Sequence, residues 1–160
     1  MAVFYSFHYD RDVNRVQLVE NMGVLDGQKI LNHQDWESVK RGGTSAITRW
    51  IDEQMKYKSA VIVLIGKETS TRPWVLYEIE KAWNDKHRLL GIYIHGLSSM
   101  GEVDSKGANP FERVDGVYGI PVFDPTQISW STGRIDSKAT YNTLAMNLKS
   151  WSEQGTVRPW

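Results

Sequence analysis

The chain has 160 residues, the size of one domain with room for one substantial core, so 1–160 reads as a single domain. Its 41% hydrophobic and 24% charged residues are globular proportions rather than disordered ones. Its 19 basic residues balance 19 acidic ones and it contains no cysteine, which excludes a disulfide framework, a thiolate metal site, a cysteine nucleophile and a broad positive field for nucleic acid or anionic membrane.

The absence of cysteine fits a reducing cytoplasm, and the N-terminal Met1–His8 segment lacks the apolar run and basic flank of a secretory signal. The most apolar stretch, Ala60 to Gly66, is far shorter than the roughly 18 residues of a membrane span. A cytoplasmic protein without membrane or nucleic-acid partners is therefore expected. A neutral domain must take an anionic ligand at a local site.

Val3, Phe4, Tyr5 and Phe7 predict a first strand, followed by a loop over His8–Asp12. Asp12 is expected to cap a helix to about Met22, with Val13, Val16, Leu18 and Val19 as its apolar stripe. Lys29-Ile30-Leu31 reads as a short strand, and Asn32–Gly43 as a long, partly helical functional loop. Thr44 is expected to cap a second helix whose Ile47, Trp50, Ile51, Gln54 and Met55 recur at helical spacing. Ala60–Gly66 is a β-branched run without polar alternation, the pattern of a parallel strand buried on both faces.

A third helix is predicted over about Arg72 to Lys86, with Pro73 in the first turn, where its missing N–H costs nothing. Leu89–His95 reads as another buried strand, Gly96–Val114 as an irregular insertion, and Pro121–Phe123 as a short last strand. Ser137 or Thr140 is expected to cap a C-terminal helix carrying Leu144, Met146, Leu148 and Trp151. This alternation predicts an α/β, three-layer, flavodoxin-like domain with a mostly parallel five-stranded sheet of order 2-1-3-4-5. Ligands of such sheets bind outside the carboxyl ends of the strands, where the order reverses. That points to the loop after Phe7, the Asn32–Gly43 loop, and the start of the helix after Gly66.

Three groups of residues there can carry chemistry. On a helical wheel Val75, Leu76, Ile79, Ala82 and Trp83 form one stripe roughly 120° wide, and Glu78 falls just outside its edge, with Trp74 one turn earlier on the same side. A marginal carboxylate beside a large aromatic can keep a raised pKa and hydrogen-bond a sugar hydroxyl. Wheel position alone fits a solvated glutamate as well. Ser6-Phe7-His8, ending the first strand, can hold a phosphate or ribose oxygen, or form an ordinary loop. Around Asp35-Trp36-Glu37, Trp36 can stack on a base while Lys40 or Arg41 meets a phosphate, or the segment is a polar loop. The four histidines, His8, His33, His87 and His95, are scattered without metal-ligand spacing, so no metal site is expected.

Several blocks together resemble a known family. They are Phe4-Tyr5-Ser6-Phe7-His8-Tyr9, Trp36-Glu37, Val63-Leu64-Ile65-Gly66, Arg72-Pro73-Trp74-Val75-Leu76-Tyr77-Glu78-Ile79, Gly91-Ile92-Tyr93-Ile94 and Lys106-Gly107-Ala108-Asn109-Pro110-Phe111. The chain resembles the TIR-like proteins of bacterial anti-phage defence, in particular the TIR subunit of Thoeris systems, from Val3 to about Phe123. The resemblance implies an enzyme that cleaves the nicotinamide–ribose bond of NAD, with Glu78 in the position of the catalytic glutamate. It also implies a cyclic ADP-ribose isomer made after phage infection, a separate effector that answers to it, a phage-derived trigger and self-association. NAD is then substrate, and no cofactor is implied. Substrate-binding candidates are Ser6, Phe7, His8, Asp35, Trp36, Trp74 and Tyr77. Two other classes compete: a non-catalytic TIR-like interaction module, and a nucleoside deoxyribosyltransferase-like enzyme, which needs a second carboxylate from Asp10, Asp12 or Asp35.

Overall fold

The uninterrupted apolar run at 60–65 does what its pattern requires: in the computed structural model, which describes residues 1–160, Ala60–Ile65 is fully buried and central in the sheet. The strands are β1 (Val3–Ser6), β2 (Ala60–Ile65), β3 (Arg88–Tyr93) and β4 (Val122–Phe123), all paired in parallel in the order β1-β2-β3-β4. The helices are α1 (Tyr9–Asn21), α2 (His33–Arg41), α3 (Gly43–Met55), α4 (Pro73–Asn84) and α5 (Ser137–Ser152).

Alternate residues of each strand feed two separate cores, as the period of two dictates. Tyr5, Ile62, Leu64, Leu90 and Ile92 pack with Val16 and Val19 of α1 and Leu144 and Leu148 of α5. Phe4, Val61, Val63, Ile65 and Leu89 pack with Ile47 and Ile51 of α3 and Val75 and Ile79 of α4. Helices therefore cover both faces, giving the three-layer α/β architecture with a parallel sheet.

The sheet has four strands, not the expected five. Lys29-Ile30-Leu31 is not a strand: beside β1 the chain makes a single parallel bridge, Ala2 to Asp26. The Gln28 side chain then replaces the ladder, accepting from the Tyr5 N–H at 2.8 Å and donating to the Tyr5 carbonyl at 2.8 Å. With both polar groups of Tyr5 satisfied by one amide, the backbone of 29–31 has no ladder partner there.

Other boundaries also move. The segment Asn32–Gly43, expected to be partly helical, is mostly helix α2, capped by Asn32, whose side chain accepts from the Asp35 N–H. Helix α1 begins at Tyr9, so Asp12 is a buried first-turn residue rather than its cap. Gly42, not Thr44, precedes α3, and Asp136 caps α5 in place of Ser137 or Thr140. Helix α4 has Pro73 in its first turn as expected. The 96–114 insertion folds back onto the sheet: a Cβ on Gly107 would clash with the Gly66 carbonyl oxygen, and Phe111 is buried against Gly91.

Candidate functional site

Two short-range facts build the site. Ser6 is the last residue of β1, fully buried, and pairs in register with Val63. Glu78 lies in the second turn of α4, the helix packed over that end of the sheet. The Ser6 hydroxyl donates to Glu78 Oε1 at 2.6 Å. Glu78 is only 7% exposed, so the rim position read from the helical wheel is in fact a buried one. Burial pushes its carboxyl from 4.5 up to about 8, while the Ser6 hydrogen bond pulls in the opposite direction.

Glu78 faces a cleft of about 190 Å³ at the carboxyl edge of β1. One wall is aromatic: Phe7 and Tyr9 follow β1, Trp36 comes from α2, Trp50 from α3 and Trp74 from α4. Tyr9 and Trp36 are stacked with centroids 5.3 Å apart, and Trp50 meets Trp36 edge-on at 6.1 Å. The Tyr9 hydroxyl donates to the Leu31 carbonyl at 2.5 Å, which ties the 28–31 segment to the cleft as its far wall. Lys40 lines the cleft beside Trp36, its Nζ 5.8 Å from that ring and 2.9 Å from Glu37.

A polar recess adjoins this cleft and shares His8, Asp10 and Arg72 with it, adding Arg11 and Glu68. His8 is buried, and its imidazole is pushed to lower pKa by burial and by the nearby Arg72 charge. Behind the recess, Arg11 grips Asp104 through Nε at 2.8 Å and Nη2 at 3.1 Å, and Glu68 through Nη1 at 2.7 Å. The Arg11 hydrogen bond holds the Asp104 carboxyl down at about 2.

The structure brings Ser6, Phe7, His8, Trp36, Trp74 and Glu78 together; all but Ser6 line the cleft, and Ser6 reaches it through Glu78. Asp35 and Tyr77 lie off it. Asp35 is an exposed residue of the first turn of α2. Tyr77 donates to Asp52 on α3 at 2.9 Å and touches Trp74 only edge-on. Arg41 is likewise outside the lining, whereas Lys40 is in it. Among the carboxylates weighed as a second acid, Asp10 lines the cleft, while Asp12 is buried against Arg15 at 3.1 Å. No three His, Asp or Glu side chains gather as metal ligands. No helix is long and apolar enough to cross a membrane.

The sequence reading missed Tyr9, Trp50 and Arg72 as cleft residues. A signal existed for Arg72: a residue directly before a helix-opening proline on the ligand side of the sheet must stand at the cleft's mouth. Trp50 was hidden in the apolar stripe of its own helix.

The model of the family described as Thoeris protein ThsB, TIR-like domain, matches residues 4–99. That range contains β1 from Phe4 onward, β2, β3 and every cleft residue. A protein of Bacillus cereus (strain MSX-D12) named "Putative cyclic ADP-D-ribose synthase ThsB1" is 31% identical over 138 residues, covering 82% of this chain and 72% of its own length.

Proposed function

Because the chain belongs to the Thoeris ThsB family of TIR-like proteins, we propose that it cleaves the nicotinamide–ribose bond of NAD and closes the ADP-ribose into a cyclic signalling nucleotide. The observation that carries this reading is the Ser6–Glu78 pair, a hydrogen-bonded carboxyl buried at the base of an aromatic cleft. The name of the Bacillus cereus relative supports the same product class.

The chemistry follows from charge. Nicotinamide in NAD is a cationic ring. When its bond to the ribose anomeric carbon breaks, the bonding pair goes to the ring nitrogen and neutral nicotinamide leaves. The ribose is left as an oxocarbenium-like cation. A leaving group that departs neutral needs no general acid, so one carboxylate suffices, by the logic of glycoside cleavage. Glu78, whose pKa burial raises, gives its proton to solvent as the positive ring enters and lowers that pKa. The resulting carboxylate sits in a low-dielectric site, where it stabilises the developing cation far more than it would in water. Ser6 fixes the rotamer of that carboxylate from the end of β1.

The second half of the reaction is a competition for the cation. Water gives linear ADP-ribose. A ribose hydroxyl from the adenosine side, losing its proton, or an adenine ring nitrogen, attacking through its lone pair, gives a cyclic isomer. The walls of Phe7, Tyr9, Trp36, Trp50 and Trp74 keep the cleft dry and offer π-faces to the bases. This favours closure over hydrolysis. Nicotinamide release from NAD, followed for the native chain and for Glu78→Gln, tests the proposal: release must depend on the carboxylate.

A further inference from the structure

We propose that Arg72 is the anchor for the substrate's diphosphate, which makes the site selective for a dinucleotide over a nucleoside; this rests on the reading of the cleft as a nicotinamide-dinucleotide site. Four cations border the cleft and its polar recess: Arg11, Lys29, Lys40 and Arg72. Arg11 is already paired with Asp104 and Glu68 through three hydrogen bonds. Lys40 is held by Glu37 at 2.9 Å. Lys29 stands on the exposed rim. Arg72 is different. Its Nε is buried without a hydrogen-bond partner, and its nearest carboxylate, Glu68 Oε1, is 3.9 Å away. Only that Nε–H is buried; the side chain as a whole is 43% exposed, so the fork of the guanidinium is open to a ligand while its buried N–H lacks an acceptor.

Position supports the assignment. Arg72 precedes Glu78 by six residues, about 9 Å of helix rise, along the same wall. Arg72 and His8 border both the aromatic cleft and the polar recess, so a bound dinucleotide would pass its charged middle between them. With its ribose at Glu78, the linking phosphates fall toward the Arg72 end. A guanidinium is suited to this task, since its planar fork meets phosphate oxygens in pairs and stays charged at every working pH.

The test is binding, independent of turnover. ADP-ribose and adenosine are titrated calorimetrically into the full chain as native protein, Arg72→Gln and Arg72→Lys, at low and raised salt. The proposal expects Arg72→Gln to weaken ADP-ribose about tenfold or more. It also expects Arg72→Lys to retain part of the affinity, adenosine binding to stay unchanged, and the salt dependence of ADP-ribose binding to flatten in Arg72→Gln. An unchanged ADP-ribose affinity in Arg72→Gln, an equal loss for both ligands, or a native chain that binds neither overturns it. Melting curves of both variants show whether the fold is kept; if Arg72→Gln unfolds, Arg72→Lys decides alone, by the same ADP-ribose-specific loss. The parent reading fails separately: Arg72-dependent ADP-ribose binding without Glu78-dependent nicotinamide release keeps this anchor and sinks the catalytic reading, and the reverse result does the opposite.

Discussion

The Ser6 hydroxyl reaches Glu78 Oε1 at 2.6 Å across 72 positions of sequence, joining the carboxyl end of β1 to the second turn of α4. This contact holds a buried carboxyl group that no cationic side chain compensates. Burial is the largest cause of its raised pKa, and no positive partner opposes it. The site thus keeps an acid in a place that only a positive ligand makes comfortable.

Replacing Glu78 with Gln should abolish nicotinamide release while leaving the fold at least as stable. The sign follows from linkage. The folded pKa of about 8 lies above the unfolded value of 4.5, so the native state binds the extra proton between them. Stability then falls as pH rises through that window and levels off above about 8. The cost of ionising this carboxyl in the folded state is on the order of a few kcal/mol, and Glu78→Gln is exempt from it. Denaturation midpoints at pH 5 and pH 9 check this: the drop between them should be smaller in Glu78→Gln than in the native chain.

The pH profile of kcat/KM should rise with an inflection near 8, the pKa of the free Glu78 carboxyl, if the ionised form receives the substrate cation. Ser6→Ala removes the hydrogen bond that lowers this pKa. Its inflection should move to higher pH. A rate measured from pH 6 to 10 for both proteins reads the shift directly, and an inflection that stays in place would show that Ser6 does not tune the carboxyl.

Trp36 supplies the wall of the cleft from α2 and stacks on Tyr9. Trp36→Ala should admit water and raise the share of linear ADP-ribose among the products by several-fold, with less effect on nicotinamide release itself. Product ratios by chromatography distinguish this from a general loss of activity.

Gln28→Ala should destabilise the domain by about 2–4 kcal/mol, because it strips the buried N–H and carbonyl of Tyr5 of their only ladder substitute. Chemical denaturation measures this. A change within about 0.5 kcal/mol, the range of an ordinary surface substitution, would mean the amide pairing is incidental.

Gly107→Ala should cost about 1–3 kcal/mol, since its Cβ would press on the Gly66 backbone carbonyl, which cannot move aside as a flexible side chain could. The same denaturation series tests it, with Lys106→Ala as a neighbour that leaves this contact untouched.

Much of this architecture can be read from residue order. The unbroken run 60–65, the apolar stripe of α4 and the proline at its first turn identify β2 and α4 because burial on two faces and helical spacing leave strong periodic marks. The missing strand at 29–31 leaves no such mark. What displaced it is a single side-chain amide acting as a strand, and a glutamine carries no pattern announcing that use. Helix α2 is only partly legible, because its segment is largely polar and a glycine pair follows it. The wheel set Glu78 at a margin because it counts one helix's stripe and not the β1 end that closes over it. Phe7, His8, Trp36 and Trp74 were found from position relative to the strand ends, whereas Asp35 and Tyr77 are neighbours of cleft residues along the chain that point elsewhere.

The central claim concerns one carboxyl group in the cell. Mass spectrometry of nucleotides from cells expressing the native chain or Glu78→Gln, with and without phage challenge, addresses it directly. The account predicts a cyclic ADP-ribose isomer that accumulates with the native chain after challenge and is absent with Glu78→Gln. The same isomer at equal levels from both proteins would contradict it.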